Sequence, residues 1–138
     1  MTQDNLAETY RDDKITQAIV IRKKAKSPNI SFLTDPQNSF QIGLMTRNRE
    51  LPVKQHKHNP ITREINDTQE FLLVRQGRMN VQLFDSNAYM NHEIELAEGD
   101  CILLCNGAHA IQFDEFCELL EIKQGPYAFE KDKEYIEH

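Results

Sequence analysis

The chain has 138 residues, a length that fits one compact domain with a core large enough to stand without disulfide staples. A hydrophobic share of 39% sets it apart from disordered sequences, and its 28% of charged residues is ordinary for a globular protein. The formal net charge of −6 argues against nucleic acid as the main partner, because phosphate neutralisation needs clustered Lys and Arg.

The one basic run, Arg22-Lys23-Lys24-Ala25-Lys26, follows the apolar stretch Ala18 to Ile21 and reads as a solvated strand end. No apolar stretch approaches the roughly 20 residues that cross a bilayer. The first eight residues lack the charged-then-apolar layout of a secretory signal, so a cytoplasmic protein without membrane contact is expected. Cys101, Cys105 and Cys117 are odd in number and form no C-x-x-C pair. They read as reduced, buried small hydrophobes. A zinc site on the C-x-x-x-C of Cys101 and Cys105 is the weaker alternative, because the strand between them is apolar.

In chain order, residues Leu6 to Lys14 read as a short helix or a loose, mostly polar arm. Strand signatures then follow at Ala18 to Arg22, Ile30 to Leu33 and Phe40 to Met45, punctuated by Pro and Asn turns. Phe71 to Val74 and Met79 to Phe84 flank Gln76-Gly77-Arg78, which predicts a hairpin. His92 to Leu96 leads to the turn Glu98-Gly99-Asp100 and the wholly apolar Cys101 to Leu104. After Asn106-Gly107 come His109 to Phe113 and, last, Cys117 to Lys123. This spacing predicts an all-β antiparallel fold, a sandwich or barrel, in one domain over residues 1–138. Its core runs from about 18 to 127, with an N-terminal arm (1–17) and a C-terminal tail (128–138) at the periphery.

The chemistry concentrates in a few residues. His56 and His58 stand at i and i+2, so on a strand their imidazoles share one face and converge on one ion. Glu70 heads an apolar strand that closes at Gly77, and His109 enters a strand just after Asn106-Gly107. Taken singly, each has an ordinary structural reading: a surface H-x-H, a solvated strand end, a histidine bonded to backbone.

Together these residues resemble the cupin family, whose first motif runs G-x5-H-x-H-x3,4-E-x6-G and second G-x5-P-x-G-x2-H-x3-N. His56, His58, Glu70 and Gly77 match the first, and Gly99, Gly107 and His109 the second. The pattern departs at Glu50 for the leading glycine, at Cys105 for the proline and at Phe113 for the asparagine. Eleven residues separate His58 from Glu70, and only Ala108 separates Gly107 from His109. Glu64 therefore competes with Glu70, which is preferred for its intact E-x6-G spacing. The resemblance implies a cupin-type β-barrel, a double-stranded β-helix or jelly roll. It implies one divalent metal held by His56, His58, Glu70 and His109. A mixed nitrogen and oxygen set suits iron, manganese, nickel, copper or zinc, and not magnesium or calcium.

Arg63, in the polar stretch between the histidines and Glu70, is a candidate clamp for a ligand carboxylate or phosphate. Glu121 and Lys123 share one strand face and form a candidate acid–base pair if that face looks inward. Residues Glu121 to Tyr127 resemble the closing strand of small cupins associated with surface-polysaccharide genes, which implies a sugar-derived substrate. Three functions stay open: a metal-dependent enzyme on a small polar molecule, a non-enzymatic small-molecule binder, and a metal-free sugar epimerase or isomerase. A homodimer is expected by analogy, through the apolar strand Ala18 to Arg22.

Overall fold

A computed structural model describes residues 6–136 of the chain; residues 1–5 of the expected arm and 137–138 of the expected tail lie outside the described residues. The fold is mostly β, with antiparallel sheets and no α-helix among the described residues. The chain forms two compact units, residues 1–25 with 68–138, and residues 26–67.

Among the described residues the larger unit carries eight strands. Five of them, β1 (Glu8–Asp12), β2 (Ile15–Ile21), β5 (Glu70–Gln76), β8 (Cys101–Leu104) and β10 (Glu118–Lys123), form a sheet in the order β1-β2-β8-β5-β10. Three more, β6 (Arg78–Phe84), β7 (Met90–Ala97) and β9 (Ala108–Phe113), form a sheet in the order β7-β6-β9. No closed barrel forms among the described residues, and each of these two sheets ends in a strand paired on one side only.

Alternation explains how the two sheets meet. Every second residue of β6 (Met79, Val81 and Leu83) is buried, as are Ile94 and Leu96 of β7. They pack in one cluster with Ala18 and Val20 of β2, Leu72 and Val74 of β5, and Ile102 and Leu104 of β8. Burial of an apolar side chain of this size contributes about 1.5–3 kcal/mol, so this shared face holds the two sheets together.

Gly77 sits between β5 and β6 at φ +86°, and a Cβ there would lie 2.0 Å from the carbonyl oxygen of Phe116. The glycine that closes the first motif is thus required by backbone conformation and by close approach. The turn does not make a hairpin: β5 and β6 belong to different sheets, and the chain crosses the core at Gly77. β6 instead pairs with β7 and β9. The expected helix or loose arm at Leu6 to Lys14 is strand β1, which pairs with β2 from Glu8↔Val20 to Asp12↔Ile15. Tyr10 packs against the core while its neighbours stay polar, which is why the segment lacks a clear apolar period.

The smaller unit holds β3 (Ile30–Phe32) paired with β4 (Gly43–Met45). Its connecting loop is pinned by Gln41, whose Nε2 donates to the carbonyls of Asp35 and Asn38, both at 2.9 Å. Residues 46–67 form no strand or helix and are exposed.

Candidate functional site

Two of the four expected ligands meet in the larger unit. On β9, His109 lies opposite the buried Leu83, and Ile111 on the same face packs against the core, so the histidine points inward. On β5, Glu70 shares its face with the buried Leu72 and Val74. The two side chains come from different sheets, yet His109 Nε2 lies 3.7 Å from Glu70 Oε2. Their side chains are 31% and 16% exposed, partly desolvated and still reachable.

That separation is informative. It is too long for a hydrogen bond. Two donors each about 2.1 Å from one ion in tetrahedral geometry stand roughly 3.4 Å apart, close to what is observed. An imidazole nitrogen and a carboxylate oxygen thus fit one transition ion between them.

The pair borders an open cavity of about 710 Å³, lined by residues of both terminal strands, β9 and β10, and by residues 132–136. Its walls are apolar at Leu72, Phe84, Ile111 and Leu119 and acidic at Glu70, Glu121, Asp132 and Glu134. A mostly apolar recess with a few convergent polar groups is the usual form of a small-molecule site.

Glu121 and Lys123 lie on the cavity side of β10. Across the β5–β10 ladder Glu121 stands opposite the buried Leu72, and Lys123 opposite Glu70. Lys123 Nζ donates to Asp132 Oδ2 at 2.9 Å and lies 3.8 Å from Glu121 Oε1. The bond to Asp132 raises the lysine pKa; desolvation opposes that, and the charges of Asp132, Glu121 and Glu70 reinforce it. Lys123 is held as a cation, which suits it to orient carboxylates and not to accept a proton. Asp132 was not foreseen: the charged tail carries no motif, and only the folded chain brings it to β10.

The other two expected ligands belong to the smaller unit. His56 and His58 do not lie on a strand; residues 51–68 are exposed and irregular. Their rings nonetheless pack edge to face with centroids 5.2 Å apart. His56 Nδ1 lies 2.7 Å from the carbonyl oxygen of Lys54. In the neutral ring that bond places the proton on Nδ1 and leaves a lone pair on Nε2, the tautomer that ligates a metal. Arg63 and Glu64 are exposed on the same stretch. Within either unit, among the described residues, no three His, Cys, Asp or Glu side chains group as a ligand set.

Several other titratable groups have structural roles. His92 Nε2 lies 2.8 Å from the carbonyl of Arg11, and its ring packs on Tyr10. Burial pushes the Cys101 thiol up to about 11, aided by the charge of Asp100. All three cysteines are free, but only Cys105 is buried as expected; Cys101 and Cys117 are partly exposed. Arg22, read from sequence as a solvated strand end, joins Glu8 and Asp100 in an ion-pair network.

No family model, no curated protein and no solved structure matches this chain.

Proposed function

We propose that the two sheets are those of a cupin-type jelly roll and that the protein holds one divalent transition metal through His56, His58, Glu70 and His109. The observation that carries this reading is the meeting of Glu70 and His109 at 3.7 Å beside a cavity. They stand on different sheets, 39 residues apart by number, and the two-motif resemblance required them to converge. From β5 to β10 the chain passes to the other sheet at every connection except β6 to β7, which supports the same arrangement.

Iron, manganese, nickel, copper or zinc suits the donor set, and such an ion supplies Lewis acidity or, if iron, dioxygen binding. The surrounding residues bind and orient a small polar or sugar-derived molecule. Glu121 accepts hydrogen bonds from its hydroxyl groups, Lys123 keeps the carboxylates of Glu121 and Asp132 in place, and the apolar wall excludes water. Arg63 is the proposed clamp for an anionic ligand group.

Elemental analysis of the purified, untagged protein tests the reading. About one equivalent of a transition metal is expected in the parent and little in His56→Ala, with the fold kept by circular dichroism. A parent that carries no metal and takes none up overturns it, and isomerase activity surviving exhaustive chelation would favour the metal-free epimerase instead.

A further inference from the structure

The stretch expected to carry a dimer contact, Ala18 to Arg22, falls on β2, which is flanked by β1 and β8 and has no free edge. The element left loosely tied is instead the chain that follows β10. Beyond Lys123 it passes through Gln124-Gly125-Pro126 and one 3-10 turn, Phe129–Lys131. It then returns, so that Asp132 to Ile136 line the cavity beside Glu70, His109 and Glu121.

A segment laid over a cavity stays in place when apolar burial or backbone pairing holds it. Among the described residues, 125–136 have neither. Phe129, Tyr135 and Ile136 are exposed, and no residue of the 3-10 turn is buried. The segment's backbone hydrogen bonds, Lys131 N–H to Ala128 and Asp132 N–H to Phe129, stay within it.

What ties it down is Lys123. The lysine Nζ donates to Asp132 Oδ2 at 2.9 Å, and the Asp132 side chain is only 9% exposed. The same ammonium lies 5.5 Å from the ring centroid of Tyr127, within cation–π range. It also stands 3.8 Å from Glu121 and across the ladder from Glu70. One side chain thus joins the tail to the carboxylates of the site. An ion pair between partly exposed groups contributes little and opens readily.

We propose that residues 125–136 form a strap over the cavity, latched by Lys123 to Asp132 and Tyr127, whose release controls entry to the site. Closed, the strap supplies one wall of the cavity; released, it bares Ile111, Leu119 and Glu121 to solvent. This rests on the reading of the cavity as the ligand site and does not require the metal. Metal content reports on the ligand set and cavity accessibility on the strap, so either can fail alone.

Thiol labelling in the full chain as purified tests the strap. Ile111→Cys places a thiol on the cavity wall, and its rate with iodoacetamide is read by peptide mass spectrometry. Cys117, which lies outside the cavity lining, is the internal reference. Lys123→Met and Asp132→Asn, each added to that variant, should raise the rate at position 111 roughly two- to fivefold, the effect of losing one partly exposed ion pair. The rate at Cys117 and the urea midpoint should not move. Lys131→Met, which removes a tail charge outside the latch, should leave position 111 unchanged. Leu119→Cys is the second reporter should Ile111→Cys fold poorly. A rate unmoved by both latch variants, an equal rise in Lys131→Met, or a parallel rise at Cys117 would overturn the proposal.

Discussion

The two ends of β8 hold polar groups that are joined in very different degree. Just before the strand, Asp100 is 9% exposed and accepts hydrogen bonds from the backbone N–H groups of Lys23 at 2.9 Å and Ala97 at 3.0 Å. Arg22 adds Nη1 to Asp100 at 3.2 Å and to the carbonyl of Glu95 at 2.7 Å, and grips Glu8 with Nε and Nη2. At the far end, Leu104 stands opposite Glu70, which faces His109 without a hydrogen bond between them. Closed polar networks fix a structure, whereas groups left apart beside a cavity are free to take a ligand.

The sharpest way to break the comparison is to open the closed end. Arg22→Ala leaves Glu8 and Asp100 without their cation. It should lower stability by about 2 kcal/mol, a partly exposed network being worth less than a buried one. The urea midpoint measures this, and metal content should be unchanged. A fall in metal content with no loss of stability would reverse the roles assigned to the two ends.

A second, smaller effect lies in acid. The hydrogen bond from Arg22 holds Glu8 below its ordinary value of 4.5, against desolvation. Burial raises Asp100, but the N–H groups of Ala97 and Lys23, with Arg22, outweigh it and leave its carboxyl below the ordinary 3.8. Because both folded pKa values are depressed, the unfolded chain binds protons more readily. Their stabilisation is complete above the ordinary values and is lost as pH falls through the depressed folded ones. Thermal melts from pH 6 to pH 2 should show this limb in the parent and a flatter one in Arg22→Ala.

The smallest stability effect belongs to the open end. Glu70→Gln keeps shape and removes charge from a carboxylate that holds no structural bond to His109. Its unfolding free energy in the absence of metal should lie within about 0.5 kcal/mol of the parent. A larger loss by chemical denaturation would mean that Glu70 supports the fold.

Much of the strand layout was legible because alternation and glycine turns are local signals. Met79, Val81 and Leu83 mark their strand unaided, and Gly77, Gly99 and Gly107 each stand at positive φ where turns were expected. That Glu121 and Lys123 share a face, as do His109 and Ile111, follows from the same alternation, whereas which face looks toward the cavity does not. What the sequence hid was non-local. Arg22 looked solvated because its partner Asp100 is 78 residues away. β1 reads as polar because an edge strand buries only part of one face. The hairpin expected at Gly77 failed because the identity of a strand's partner depends on the whole sheet, not on the turn that precedes it. His56 and His58 share a spacing suited to a strand but lie on irregular chain, which composition alone does not foretell.

The central claim, that the open end is the ligand end, is tested most directly by metal titration of two histidine variants side by side. His109→Ala should lose high-affinity uptake of a transition ion, while His92→Ala, which removes a ring bonded to the Arg11 carbonyl, should retain one equivalent. Equal uptake by both variants, or loss in His92→Ala alone, would contradict the account.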